Sequence, residues 1–142
     1  MPLLTIQRAE PAVAKDIETA LLADLRKTAT QGQNETITLS VNAADGRLVA
    51  GLVGSTSYGW LLIKVLWVAD ELRRQGYGRA LVLNAFAQAK SLECHNAWLD
   101  TSNRTAMQFY TALGFDVFGS LANSGPQEPL GHQRWFLKRP IP

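Results

Sequence analysis

Apolar residues recur along this chain with two different periods, and the switches between them predict the order of its elements. A short strand is expected over 3–6. Behind Glu10-Pro11, the residues Val13, Ile17, Leu21 and Leu25 recur every fourth position and predict an amphipathic helix. A polar stretch over 28–35 breaks that pattern, and 36–41 and 47–54 then read as two strands around a turn near Asp45-Gly46. The run 60–68 is almost wholly apolar, the composition of a strand covered on both faces.

A second helix starts at Gly76, with Ala80, Leu83 and Ala87 on one stripe and Val82, Phe86 and Ala89 on the next, so it is expected to be largely buried. After a short strand at 96–100, Ser102 or Asn103 can cap a third helix bearing Ala106, Phe109, Tyr110 and Leu113. Gly114 followed by Phe115 matches a left-handed helix end. Strands at 115–121 and 133–138, antiparallel across the loop 123–131, complete the chain. Strand, helix, three strands, helix, strand, helix, two strands is the order of a mixed α/β sheet with helices on both faces.

The 142 residues make one domain's length, with no internal repeat or linker dividing them, so 1–142 is read as a single domain. With 46% hydrophobic and 18% charged residues the chain is not disordered, and its apolar runs are too short to cross a bilayer. No secretory signal opens the sequence, and the single cysteine, Cys94, forms no internal disulfide, so a cytoplasmic location is expected. A net charge of +2 does not by itself imply nucleic acid. Local charge matters more, because Arg73, Arg74 and Arg79 crowd one segment.

That segment has the design of an anion site. The apolar strand ends near Val68, a basic loop follows, and Gly76-Tyr77-Gly78 stands at the mouth of a helix. The first turn of a helix has N–H groups without partners and a partial positive charge, and glycines let a bulky ligand approach. A dinucleotide fingerprint is disfavoured because position 81 is Leu, and Gly-Lys-Ser/Thr of a P-loop is absent. Spacing alone leaves open a helix entry that uses glycine for packing. His95 beside Cys94 has no orienting third group, and no metal site is expected.

Arg73-Arg74-Gln75-Gly76-Tyr77-Gly78 resembles the Gln/Arg-x-x-Gly-x-Gly/Ala motif of the GCN5-related N-acetyltransferases, the GNAT family. The stretch from Asn103 through Phe109-Tyr110-Thr111-Ala112-Leu113-Gly114-Phe115 is similar to the family's second signature. Trp98-Leu99-Asp100-Thr101 further resembles small bacterial members. The resemblance covers 61–118 and implies the GNAT fold, a mixed sheet with a splay between its fourth and fifth strands. It also implies an enzyme that moves an acetyl group from acetyl-CoA to a primary amine of a small molecule or peptide, by direct transfer in a ternary complex.

By the same resemblance, the segment Arg73, Arg74, Gln75, Gly76, Tyr77, Gly78 and Arg79 would hold the pyrophosphate of acetyl-CoA. Leu66, Trp67 and Val68 would pair with its pantetheine arm, which Asn103 would also touch, and Tyr110 would be the general acid. The family's usual glutamate base is missing, which leaves Asp100 and His132 as candidates. Tyr58, Trp60 and Trp135 could line an acceptor slot. Dimers are frequent in the family, although no interface is marked in this sequence. A non-catalytic acyl-CoA sensor and a basic domain contacting nucleic acid are the competing readings.

Overall fold

The computed structural model describes residues 4–142, which form two units divided after Gln31. The first unit contains helix α1 (Val13–Thr28), none of whose residues is buried. The strand expected at 3–6 is not formed. Leu3 lies outside the described residues, and 4–6 are irregular, with Leu4 and Ile6 almost fully exposed. A strand needs a partner for its backbone groups, and 4–6 join no described sheet.

The second unit, Gly32–Pro142, holds strands β1 (Thr36–Asn42), β2 (Leu48–Ser57), β3 (Trp60–Val68), β4 (Asn96–Thr101), β5 (Asp116–Ala122) and β6 (Gln133–Pro140). Two helices, α2 (Tyr77–Ser91) and α3 (Arg104–Ala112), complete it. The strands make one six-stranded sheet in the order β1-β2-β3-β4-β6-β5, antiparallel except between β3 and β4. Mixed pairing follows from the connections: short turns join β1 to β2 and β2 to β3, a longer loop joins β5 to β6, and α2 carries the chain from β3 to a parallel β4.

One extra residue in β3 shapes everything that follows. Val53 pairs with Val65 but Gly54 pairs with Ile63, so Lys64 is bulged out of the ladder. A bulge bends its strand and raises the local twist. It also reverses which face each later side chain meets. Leu61 and Ile63 point into the core before it, Leu66 and Val68 pack against the core after it, and Val65 and Trp67 are exposed. This explains the unbroken apolar run: two alternating patterns in opposite phase are joined at Lys64. The pairing of β3 with β4 covers only Trp60–Leu62 against Asn96–Trp98, and the strands separate beyond it, at the bulge.

The core lies between this sheet and its two helices. Ala50, Leu52, Leu61, Ala97, Leu99 and Leu137 meet Val82, Ala85, Phe86 and Ala89 of α2 and Tyr110 of α3. Only one face of α2 is buried, that of Leu81, Val82, Ala85, Phe86 and Ala89. The expected second stripe, with Leu83, stays on the surface because the sheet meets a single face of the helix.

Candidate active site

The direction of the backbone at the end of β3 follows from one hydrogen bond. Ala69 N–H donates to the Val49 carbonyl on β2 at 2.8 Å. Successive residues of an extended strand point their backbone groups to opposite sides, so the N–H of Val68, and that of Leu66, point away from β2. On that side β4 has already parted from β3. The end of β3 therefore presents unpaired strand edge to the opening between the two.

From Val68 the chain passes through a short helical turn, Asp70–Leu72, into the glycine segment. Leu72 and Arg73 N–H are bonded within this turn, to Ala69 and Asp70. The next six N–H groups, those of Arg74, Gln75, Gly76, Tyr77, Gly78 and Arg79, make no well-formed hydrogen bond to a described residue. Arg74 and Gly76 are left-handed, at φ 63° and 88°, and such alternation turns neighbouring N–H groups to one side. A concave run of donors at the head of α2, with the helix dipole behind it, suits an anion.

The two glycines differ in what they permit. A Cβ at Gly76 would meet nothing within 4 Å, whereas one at Gly78 would come within 3.3 Å of the Phe109 ring and 3.9 Å of Val68. Gly78 thus brings α2 close to α3 and β3, and Gly76 supplies the left-handed turn. The side chains are partly engaged: Arg73 pairs with Asp70, and Gln75 Nε2 donates to the Glu71 carbonyl at 3.0 Å.

Helix α3 is fixed at both ends by local bonds. Asn103, rather than Ser102, is its cap, with Oδ1 accepting from Ala106 N–H at 3.0 Å. Replacing Asn103 by Ala should cost about 1 kcal/mol, a fall of about 4 °C in a thermal melt. At the other end Gly114 has φ 92°, Phe115 N–H reaches the Tyr110 carbonyl at 3.0 Å, and Gly114 N–H reaches that of Thr111. This paired closure comes with a ring contact between Tyr110 and Phe115 at 5.4 Å. Tyr110 is held by its own carbonyl and by its ring.

The Tyr110 side chain is 6% exposed, and burial pushes its phenol up to about 12. Its hydroxyl makes no hydrogen bond among the described residues, yet no buried side-chain oxygen among them lacks a partner, so the oxygen itself reaches solvent. The result is a sealed aromatic ring with an open tip. Phe109, stacked edge-on against Tyr110 at 5.0 Å, spans from it to Gly78. In the sequence Phe109 is one apolar residue of the third helix, and no local pattern joins it to the glycine segment.

Comparison with known proteins decides the family. The model of the acetyltransferase (GNAT) family matches residues 5–115. This chain belongs to the GNAT acetyltransferases. It is 33% identical to an acetyltransferase of Agrobacterium fabrum over 103 residues, 72% of this chain and 73% of that one. It is 32% identical to the blasticidin-S acetyltransferase of Streptomyces morookaense over 82 residues, 57% and 60% of the two chains. A solved acetyltransferase structure from Agrobacterium tumefaciens superimposes with a TM-score of 0.84 at 28% identity, covering 99% of each chain.

In this GNAT acetyltransferase the two candidate bases, Asp100 and His132, lie on β4 and just before β6. Asp100 lies two residues past Trp98, the last β4 residue paired with β3, and is opposite Phe136 of β6. Its carboxylate lies 3.7 Å from Arg134 Nε. His132 stands at the start of β6, on the far side of β4 from β3. The expected acceptor slot also divides. Trp60 packs against His95 at the opposite end of β3, roughly 26 Å from Val68, and Tyr58 precedes it. Trp135 instead lies under the Arg104 guanidinium at 5.3 Å, beside α3. Cys94 is buried, and desolvation raises its thiol, which disfavours the thiolate. No group of metal-ligating side chains occurs among the described residues, and no helix is long and apolar enough to cross a membrane.

Proposed function

We propose that this GNAT acetyltransferase moves an acetyl group from acetyl-CoA to a primary amine of a small molecule or peptide, by direct attack with both substrates bound. The observation that carries the reading is the run of six N–H donors at 74–79, set beside the unpaired edge of β3. Residues and ligand fit: a diphosphate needs several convergent donors, and the open space at Gly76 lets it approach the backbone. Similarity to a protein named for acetylating blasticidin-S supports a small-molecule acceptor.

Bound acetyl-CoA supplies a thioester carbonyl open to attack and a thiol as leaving group. The chain's own parts then have defined tasks. The amides of 74–79 anchor the diphosphate, and the edge at Leu66 to Val68 aligns the arm as an added strand would be aligned. Asn103, with Oδ1 used as a cap, offers its Nδ2 amide to the same arm. Val68 N–H donates to the carbonyl oxygen as negative charge builds on it. Tyr110 Oη, protonated throughout the neutral range, gives its proton to the leaving sulfur, and the proton shed by the acylated nitrogen passes to solvent, from which the phenolate is reprotonated.

In this reading the amine arrives neutral, and Asp100, 3.7 Å from Arg134 Nε, and His132, just before β6, are given no proton to take. Turnover should therefore follow the neutral fraction of the acceptor, rising with pH until that amine's own pKa is passed. Thiol release across a panel of amines of graded basicity, alongside calorimetry with coenzyme A, tests this. Coenzyme binding without thiol release on any amine would favour a sensor over an enzyme. No coenzyme binding would remove the cradle.

A further inference from the structure

Arg73 does something at the mouth of the opening that a phosphate-binding cation does not need to do. Its Nε donates to the Val68 carbonyl oxygen at 3.1 Å while its Nη1 pairs with Asp70. That carbonyl belongs to the peptide whose N–H, on Ala69, is bonded to β2. In a trans peptide the C=O points opposite to the N–H, so the Val68 oxygen is aimed into the opening, on the same side as the Val68 N–H. Left bare, it would set a partial negative charge next to the donor for the reacting carbonyl. It would also leave the last peptide of β3 held only from the β2 side.

We propose that Arg73 is a positioning residue for acetyl transfer: by bonding the Val68 carbonyl it fixes the final peptides of β3 and covers the acceptor beside the Val68 N–H. Its charge goes to Asp70 rather than to the diphosphate. This rests on the reading that Val68 N–H is the oxyanion donor. What the guanidinium contributes is direction, because its planar fork sends one N–H to the carbonyl and another to the carboxylate. The bond also ties the strand that carries the donor to the loop leading into the cradle, so the two halves of the site keep one spacing.

Atom positions along the side chain make the test. Arg Nε and Gln Nε2 both sit one bond beyond Cδ, so Arg73→Gln keeps the donor and loses the charge. Arg73→Lys keeps the charge but puts a methylene there, and Arg73→Met removes both. Amide hydrogen exchange of the ligand-free full-length protein is the first readout. The Ala69 N–H should exchange about tenfold faster in the Lys and Met variants, and within about threefold of the native rate in the Gln variant.

Kinetics give the second readout. The Lys and Met variants should lose between about 10-fold and 10²-fold in kcat, with KM for acetyl-CoA changed less than threefold, and Gln should recover most of the loss. Full activity in Arg73→Lys with loss in Arg73→Gln, or a parallel loss of coenzyme affinity, would return the residue to phosphate binding and overturn the proposal. So would unaltered Ala69 exchange in all three variants. A native protein that binds no coenzyme A would instead refute the reading of the site, while the exchange rates still report on the Arg73 bond.

Discussion

Gly76→Asp is expected to fold and yet to bind coenzyme A about 10²-fold more weakly than the native protein. The position is left-handed, which costs an L side chain about 1 kcal/mol, and Asp and Asn bear that cost best because they bond locally. There is room, since nothing lies within 4 Å of the added Cβ. What changes is charge. A carboxylate about 5 Å from a diphosphate charge is repelled by roughly 3 kcal/mol at the effective dielectric of a protein surface, which gives the factor of 10². The new side chain also competes for the amides of 77–79. Gly76→Asn carries the same backbone cost without the charge, so it should lose less than tenfold. Calorimetric titration of both variants, beside their thermal melts, separates the terms; equal losses would make the effect steric. Gly78 is the poorer place for this test, because a side chain there would push on Phe109 and disturb the contact of α2 with α3.

Two kinds of information were legible in the sequence. Periodicity located α1, α2 and α3 and the strands of the sheet, because apolar residues recur at helical spacing in the helices and alternate or cluster in the strands. The end of α3 was readable to the residue: Leu113-Gly114-Phe115 demanded a left-handed turn, and the structure closes Tyr110 into it. The glycine segment was readable as an anion-binding helix entry. The resemblance, not the spacing, named the coenzyme.

What was hidden involves residues distant in sequence or features that break a period. The bulge at Lys64 cannot be seen in 60–68, because an apolar strand covered on both faces and two half-covered strands in opposite phase give the same letters. Its consequence, the early parting of β3 from β4, is the feature that makes a site. Likewise the burial of Tyr110 and the joining of Gly78 to Phe109 depend on α3 meeting α2 at that point, which no local pattern encodes. The stripe of Leu83 failed for a related reason: a helix with two apolar stripes reads as buried on both, yet one sheet can cover only one. Of the strand expected at 3–6, the described residues 4–6 join no described sheet, so their backbone groups have no ladder to complete.

Tyr110→Phe should lower kcat by about 10²-fold while leaving coenzyme affinity within a factor of two. The substitution keeps the ring contacts with Phe109 and Phe115 and breaks no hydrogen bond within the protein, so stability at neutral pH should not change. The hydroxyl is what is lost. Because burial holds its pKa at about 12, the native enzyme should show no loss of rate from this group between pH 9 and about 10.5, where an unperturbed tyrosine near 10 would already be mostly ionised. The same burial predicts a signature independent of turnover. A folded-state pKa raised above its unfolded value of 10 means the folded chain holds the proton more tightly. The corresponding stability is fully present below pH 10 and is lost as pH rises through 12, by roughly 3 kcal/mol in total. Alkaline melts of the native protein should fall across that window, and those of Tyr110→Phe should fall less. If the melts differ as expected while kcat is unchanged, Tyr110 is a buried core aromatic and the leaving sulfur takes its proton from water; if both move together, the open hydroxyl is the acid.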